Sequence, residues 1–258
     1  MLFIVATPIG NITDLSSHAR EVLASVDFIL CEDTRRTKRL LADCGIMAPH
    51  LISCHAHNEQ HRVERALEEI KSGKTAALVS DAGTPAVSDP GAIIVAEAHR
   101  QRIPVSPIVG VSSATAAISV SGFSSPPYHF LGFPPRKKGK RRDWIIELSQ
   151  LDGISVLFEA GNRFGALISD LQELLPDREI CLCRELTKTH QEIIRQPVSA
   201  FEAEDVLGEV AIVIGEGKPI EKKGDTGKNI KLIANQLAEE WGVSKREAYN
   251  MLMTIKPE

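Results

Sequence analysis

Short apolar runs alternate with longer amphipathic stretches along the first half of the chain. The apolar runs have the length of β-strands and read LFIVAT, DFILC, HLISCHA, TAALVS and IPVSPIVG. The stretches between them place apolar residues at helical spacing, as at Ala19, Val22, Leu23 and Val26. This alternation predicts an α/β fold with a mostly parallel sheet that is covered by helices.

Turn and capping residues indicate where the predicted helices begin and end. The stretch NEQHRVERALEEIKSG predicts a helix closed by Gly73. The stretch DPGAIIVAEAHRQR predicts a helix with Asp89 as its N-cap and Pro90 as its first residue. A third stretch, SSATAAISVSG, predicts a helix made of small side chains.

The composition of the chain changes near residue 122. The segment GFSSPPYHFLGFPPRKKGKRR holds four prolines and a dense basic run, which is typical of a domain boundary. Beyond it, KRRDWIIELSQL and NRFGALISDLQELL predict helices, whereas ISVLFEA, EICLCREL and EVAIVIGEG predict strands. We therefore predict two α/β domains, 1–122 and 139–218, joined by a linker at 123–138 and followed by a polar linker and short helical tail at 219–258.

The overall composition is that of an ordinary globular protein, with 43% hydrophobic and 25% charged residues. A net charge of -4 argues against a strongly basic surface, although a local basic patch would be hidden in that sum. The odd number of cysteines, five, predicts reduced thiols in a cytosol, with Cys181 and Cys183 packed on one face of a strand. No apolar run approaches 20 residues, which predicts a cytoplasmic protein that does not span a membrane.

One loop indicates a ligand site. The stretch VSDAGTPAVSDPG, residues 79–91, leaves a buried strand and combines two aspartates with little side-chain bulk. Ala82 and Gly83 would let a ligand approach the backbone closely, beside the carboxylate of Asp81. Open α/β sheets bind ligands at the carboxyl ends of their strands, so a small polar ligand is expected here.

Three other motifs carry less weight. Only one of the three glycines of a dinucleotide-binding loop is present in ATPIGN, and GDTGKN departs from a P-loop at both ends. Cys54, His55, His57 and His61 could ligate zinc, but no second ligand pair lies nearby, which favours histidines that line a site or face solvent. The tail stretch LAEEWGVSKREAYNML has helix-turn-helix spacing around Gly242, but its mixed charges favour a packing or RNA-contacting appendage over a DNA-reading unit.

Several stretches together carry a family resemblance. In chain order they are VATPIGNITDL, CEDTRRT, HAHNE, LVSDAGTPAVSDPG, GVSSATAA, RELTKTH and GEVAIVIGEG. They closely resemble the tetrapyrrole-methylase-like (class III) S-adenosylmethionine methyltransferases over about residues 1–218. Within that family they look like the enzymes that methylate the ribose 2′-hydroxyl of a cytidine in small-subunit ribosomal RNA. The resemblance implies two α/β domains, the cofactor in the cleft between them, and a homodimer.

The resemblance also implies which loops hold S-adenosylmethionine. They are the first strand-to-helix loop, the SDAGTP loop and the start of the small-residue helix. The candidate cofactor-binding residues are Thr7, Pro8, Gly10, Asp81, Ala82, Gly83, Pro85, Ser112, Ser113 and Ala114. Unpaired N–H groups at the start of that helix could hold a carboxylate or a hydroxyl, and close packing on a sheet is the alternative role for its small residues.

Methyl transfer to a ribose hydroxyl requires alignment and a proton acceptor or electrostatic partner for the attacking oxygen. The candidate catalytic residues are Lys188, Glu185, Glu159 and Glu32. Lys188 could act as a base with a lowered pKa, or as a cation. An ion-pair cluster at a strand end is the alternative for RELTKT. Where the family commonly shows tyrosine–glutamate–serine, this chain has Phe158-Glu159-Ala160, which keeps only the carboxylate.

The expected partner is small-subunit ribosomal RNA, either free or in the assembled 30S subunit. The run RKKGKRR places six cations in seven residues and predicts a phosphate-binding patch, with a solvated linker as the alternative. The candidate RNA-binding residues are Arg35, Arg136, Lys137, Lys138, Lys140, Arg141, Arg142 and Arg184. Two other functions stay open: a corrin or porphyrin carbon methyltransferase, which would not need the basic run, and a non-catalytic RNA-binding assembly factor, which would not need Asp81.

Overall fold

The apolar runs of the first half form a five-stranded sheet. A computed structural model describes residues 1–54, 59–124, 127–220, 237–238 and 242–254 of the chain. The strands are β1 Leu2–Val5, β2 Phe28–Cys31, β3 His50–Ser53, β4 Ala76–Val79 and β5 Val105–Ile108. They pair in the order β3-β2-β4-β1-β5, and every pair is parallel. The predicted parallel sheet is thus confirmed, and the carboxyl ends of all five strands lie at one edge.

Helices cover both faces of this sheet because successive strand residues point in opposite directions. The helices are α1 Ser17–Ser25, α2 Thr34–Asp43, α3 Glu59–Lys71, α4 Ala92–Arg100 and α5 Ser113–Ser121. On β4, Ala76 and Leu78 pack with α3 and α4, whereas Ala77 and Val79 pack with α1 and α2. Burial on both faces explains why these strands read as continuous apolar runs.

The second half forms a mixed sheet. Its elements are β6 Tyr128–Phe130, α6 Lys138–Leu148, β7 Ile154–Ala160, α7 Gly161–Leu174, β8 Glu179–Arg184, β9 Glu192–Pro197 and β10 Glu209–Ile214. The strand order is β6-β7-β10-β8-β9, in which only β6 and β7 are parallel. The sequence pattern does not predict β6 or β9, because β6 has three residues and β9 is a half-exposed edge strand. β6 and the start of α6 also lie within the segment predicted as a linker.

Helix α5 connects the two sheets through its small side chains. It follows β5 of the first sheet, yet Ala114 and Ala117 pack against Val156, Cys183 and Val213 of the second. Small side chains bring the helix axis close to the sheet. The predicted packing of Cys181 and Cys183 is confirmed, since both thiols are buried in this cluster.

The predicted N-cap of α4 is wrong. The helix begins at Ala92, and its N-cap is Gly91, which has φ 131° and makes no capping bond through a side chain. Asp89 lies two residues earlier, in a loop where Ala86 and Ser88 also have positive φ. These left-handed residues turn the chain just before the helix, and the N-cap position falls at Gly91 instead of Asp89.

The chain divides into two compact units, Met1–Gly217 and Lys218–Glu258. Both sheets belong to the first unit, so its division at residues 122 and 138 stays a prediction. In the second unit, α8 Lys245–Thr254 begins with a capping box, because the Ser244 N–H donates to Glu247 and the Glu247 N–H donates to Ser244 Oγ. In the described residues, no helix is both long and apolar enough to cross a membrane.

Candidate active site

A cleft of about 290 Å³ lies at the carboxyl edge of the parallel sheet, between that edge and the second sheet. One wall comes from the loops after β1, β4 and β5 and from the start of α2. The other comes from the ends of β7 and β8, the segment after β8 and the start of β10. The crevice outside the carboxyl ends of parallel strands is where such sheets bind ligands.

The SDAGTP loop is fixed by the first strand-to-helix loop. Thr7 and Gly83 exchange two backbone hydrogen bonds, of 2.9 Å and 3.0 Å, and the Thr7 hydroxyl donates to the carbonyl of Ser80 at 3.1 Å. Gly83 has φ 84°, a conformation that a β-carbon makes costly. Thr7 therefore holds the loop in position and is itself buried, while Ala82 and Gly83 line the cleft.

Asp81 lies in the cleft with a cation beside it. Its carboxylate accepts the N–H of Asp33 at 3.3 Å and pairs with the Arg36 guanidinium at 3.2 Å. The sequence indicates Arg35 at this point, but Arg35 turns back onto Asp33, which it contacts at 2.8 Å, and its side chain is 90% exposed. Arg36, its neighbour in the run TRRT, lines the cleft instead.

The start of α5 also reaches the cleft. Ser112 is the N-cap, and Ser112 and Ser113 both line the cavity. The first N–H groups of an α-helix have no acceptor within the helix, so they are available to an anionic or hydroxyl group. Ala114 is one residue deeper and packs in the core. Close packing is thus observed for Ala114, whereas ligand contact stays a prediction for Ser112 and Ser113.

Three cleft groups from the second half form an ion-pair cluster. The ammonium of Lys188 donates to Glu185 at 2.9 Å and to Glu209 at 3.2 Å, and the Glu209 N–H donates to Glu185 at 3.0 Å. Partial burial would lower the pKa of Lys188, but the two carboxylates outweigh it and raise that pKa above its usual value. This direction favours a cationic Lys188 over the neutral base that the sequence left open.

Glu159, near the end of β7, is buried, and its carboxylate accepts several hydrogen bonds. It accepts the N–H of Ala160 at 2.8 Å and both Nε and a terminal nitrogen of Arg163. Its side chain is only 2% exposed. A carboxylate held by these donors is suited to shaping the cleft wall.

Asp89 lines the cleft although the sequence suggests only a capping role for it. Burial, followed by the negative charges of Glu32, Asp81 and Glu209, raises its pKa to about 6, and a hydrogen bond with Ser80 opposes the shift only in part. The sequence contains a cue to this position that cap preference does not use: the Ser-Asp-Pro-Gly turn repeats the Ser-Asp start of SDAGTP, which lies eight residues earlier.

The structure does not bring all predicted residues to the cleft. Of the predicted cofactor and catalytic residues, those that line it are Asp81, Ala82, Gly83, Ser112, Ser113, Glu159, Glu185 and Lys188. Residues outside its lining are Thr7, Pro8, Gly10, Pro85, Ala114 and Glu32. Gly10 supports the cleft from behind, since a β-carbon there would come within 2.5 Å of Lys188 Cγ. Arg184 pairs with Glu192 across β8 and β9 at 2.9 Å.

The cations of the basic run fall into two groups, because the run continues into α6. Some of them face α7, and the others face solvent. Arg141 is buried and pairs with Asp170 of α7 at 2.7 Å, so the prediction that it binds RNA is wrong. Arg142 contacts both Asp170 and Glu173, and Lys138 lies 3.9 Å from Asp170. Helical periodicity turns these cations toward α7. Arg136, Lys137 and Lys140 remain exposed.

The predicted zinc ligands, the cysteine and histidines of residues 54–61, lie largely outside the part of the chain that the structure describes. His55 and His57 lie outside the described residues, as does most of the predicted tail, and Cys54 is buried in the core beside β3. Within the part of the chain that the structure describes, no group of three or more histidine, cysteine or acidic residues is arranged to hold a metal ion.

A family model for tetrapyrrole (corrin/porphyrin) methylases matches residues 1–202, which include both sheets up to β9. The chain belongs to the tetrapyrrole methylases. Two relatives named ribosomal RNA small subunit methyltransferase I are similar to it over most of their length. The Thermotoga maritima protein is 42% identical over 217 residues, which is 83% of this chain and 97% of that relative. The Halalkalibacterium halodurans protein is 35% identical over 271 residues, 97% of this chain and 93% of that relative.

Solved structures of two other proteins share the fold at low identity. A Thermus thermophilus uroporphyrin-III C-methyl transferase complexed with S-adenyl homocysteine has a TM-score of 0.59 and 15% identity, covering 83% of this chain and 97% of that one. A diphthine synthase has a TM-score of 0.61 and 15% identity, covering 83% and 89%. The predicted family and fold are therefore confirmed.

Proposed function

We propose that this protein transfers the methyl group of S-adenosylmethionine to the ribose 2′-hydroxyl of a cytidine in small-subunit ribosomal RNA. The observation that carries the proposal is the composition of one cleft. It joins a glycine-bearing loop and a helix start, which suit the cofactor, to the cations Arg36 and Lys188, which suit an RNA backbone. The two relatives described above, both named ribosomal RNA small subunit methyltransferases, support this assignment of the substrate.

The residues of the cleft fit S-adenosylmethionine. That cofactor has an ammonium, a carboxylate and a cationic sulfonium, and it supplies an already activated methyl group. Asp81 and the acidic surroundings of Asp89 suit the positive groups, whereas the first N–H groups of α5, at Ser112 and Ser113, suit the carboxylate. The exposed backbone at Gly83 admits close contact. These residues would hold the cofactor.

Aromatic residues and cations would hold the nucleotide. Phe133 and Phe158 line the cleft and meet edge to face, with ring centroids 5.8 Å apart, and Phe133 is exposed. An exposed aromatic face stacks an unpaired base, which is how proteins commonly recognise single-stranded RNA. Arg36 and Lys188, fixed by their carboxylate partners, would position phosphates and support charge on the ribose oxygen.

We also propose a cytoplasmic homodimer that acts on free ribosomal RNA or on the assembled small subunit.

To test the function, the protein is incubated with labelled S-adenosylmethionine and with unmodified small subunits or free ribosomal RNA. We expect transfer to a single cytidine 2′-oxygen. Calorimetry without RNA should show micromolar cofactor binding, about -8 kcal/mol. Binding without transfer to either RNA would contradict the proposal, and a copurifying ligand that absorbs visible light would favour a tetrapyrrole substrate.

Three exposed cations should carry the RNA affinity of the basic run. Changing Arg136, Lys137 and Lys140 to glutamine should weaken RNA binding and lower the slope of log affinity against log salt by about 2–3, because each phosphate contact contributes about 0.7–0.9. Cofactor affinity should not change, since none of the three lines the cleft.

The matched control replaces three exposed cations at the opposite edge of the first sheet, Lys71, Lys74 and Arg102. Filter binding over a salt series measures both slopes. Equal slopes for the two triple variants would show that the run 136–140 is only a solvated helix start.

A further inference from the structure

We infer that Asp89 is the residue that accepts the proton of the ribose 2′-hydroxyl. This inference rests on the proposed function and deepens it by naming the base. It begins from a backbone that is unfavourable for ordinary residues. Within six residues, Ala86, Ser88 and Gly91 have φ of 64°, 68° and 131°. Left-handed conformations of residues other than glycine cost energy and are concentrated at functional sites.

That backbone presents Asp89 to the cleft. If the helix began at Pro90 with an unstrained backbone, Asp89 would be its N-cap. That cap would stabilise the helix by about 1 kcal/mol. Instead Gly91 occupies the N-cap position without any capping side chain, and Asp89 lines the cavity next to the hydroxyl of Ser80. The helix therefore lacks a cap from Asp89, and the carboxylate of Asp89 lies in the cleft instead.

The other titratable groups of the described cleft are already engaged. Arg36 pairs with Asp81, Arg163 pairs with Glu159, and Lys188 pairs with both Glu185 and Glu209. Lys188 is protonated. The thiol of Cys183 is buried, and a hydrogen bond with Cys181 raises its pKa, so it is protonated as well.

Asp89 is surrounded by acidic groups, unlike the other titratable groups of the described cleft. Glu32 after β2, Asp81 after β4 and Glu209 on β10 all act on it, and all three are acidic. Arg36 and Lys188, the cations in the described lining of the cleft, are bound to other carboxylates. Proton affinity is therefore higher at Asp89 than at an ordinary aspartate, and a base that titrates near neutral pH is the most effective at pH 7.

The proposed step conserves atoms and charge. The ribose oxygen forms a bond to the methyl carbon while the carbon–sulfur bond breaks and leaves its electron pair on sulfur. The hydroxyl proton passes to a carboxylate oxygen of Asp89. A sulfonium and a carboxylate are consumed, and a neutral thioether and a carboxylic acid are produced. Release of that proton to water completes the turnover.

The test compares Asp89→Asn and Asp89→Glu with a control, Asp177→Asn. Asp177 is exposed and lies just before the start of β8, at the end of that strand away from the cleft. At pH 7.5 and saturating cofactor, Asp89→Asn should lower the single-turnover methylation rate at least about 100-fold, and Asp89→Glu should recover part of it. The wild-type rate should rise with pH through about 6 and then level off, as set by the pKa of Asp89. The control should behave as the wild type does.

A readout without turnover tests the same group. Because the folded pKa of Asp89 is raised above its unfolded value, the native state binds more protons there, so the carboxylate lowers stability as pH rises from about 4 to about 6. Asp89→Asn should therefore melt at a higher temperature than the wild type at pH 7.5 and at the same temperature below pH 4. Carbon-13 NMR of the aspartate carboxyls should show one that titrates near pH 6 and is missing from the variant.

Each alternative has its own outcome. If Asp89→Asn weakens cofactor affinity but keeps the normal rate at saturation, Asp89 is a counter-ion and the inference is wrong. A lower melting temperature at pH 7.5 would mean a stabilising carboxylate and would also overturn it. If the wild type methylates no ribosomal RNA, the proposed function fails and the role of Asp89 fails with it, an outcome that the wild-type arm alone identifies.

Discussion

Replacing Asp170 by alanine is expected to lower the free energy of unfolding by about 3–5 kcal/mol. Asp170 and Arg141 join α7 to α6 in the interior, where their side chains are 1% and 9% exposed. The carboxylate also contacts Arg142 at 3.3 Å. Removing it leaves a buried guanidinium without its counter-charge, and the desolvation cost of that group is then no longer offset. Equilibrium urea unfolding followed by circular dichroism measures the change.

Glu173→Ala provides the matched control. Glu173 also pairs with Arg142, but its side chain is 51% exposed, so its loss should cost less than about 1 kcal/mol. Replacing Arg141 by methionine and Asp170 by leucine together should recover most of the stability, since no charge is then left buried. A loss below about 1 kcal/mol for Asp170→Ala would show that water solvates this pair.

Gly83→Val is expected to weaken S-adenosylmethionine binding at least about 100-fold, which corresponds to about 2.7 kcal/mol. Gly83 lines the cleft at φ 84°, where a β-branched residue is strained by about 1–3 kcal/mol. A β-carbon there would lie 3.6 Å from Ile9 Cγ2, so a single carbon fits but two further methyl groups have to enter the cleft or displace the loop. Isothermal titration calorimetry without RNA measures the loss.

Gly73→Val is the control that separates backbone strain at a positive φ from obstruction of the cofactor cleft. Gly73 has φ 103°, nothing within 4 Å of an added β-carbon, and a position beside the amino end of β4, opposite the cleft. Its substitution should lower the melting temperature and leave cofactor affinity unchanged. Equal affinity losses in the two variants would mean that general destabilisation, rather than the cleft, explains the effect at Gly83.

The pattern of residues along the chain is enough to predict the parallel sheet and the ligand-binding loop at its carboxyl edge. Five short apolar runs separated by amphipathic stretches allow few arrangements, because both faces of such strands must be buried under helices. The position of Asp81 and Gly83 then follows from chain order, since the end of β4 must lie at the carboxyl edge. The partly exposed edge strand β9 lacked any continuous apolar run, and the three-residue β6 was too short to show a period, so local pattern could not predict them.

Which charged groups are available for chemistry depends on how the folded chain buries and pairs them. Arg141 and Lys140 are neighbours in one basic run, yet helical rotation buries the first against Asp170 and leaves the second in solvent. Asp89 has the local sequence of a helix cap, but the acids that act on it follow β2, follow β4 and start β10, up to 120 residues away along the chain. Proton affinity and ion pairing depend on distance and burial in three dimensions, and these quantities are set by chain segments that no local motif contains.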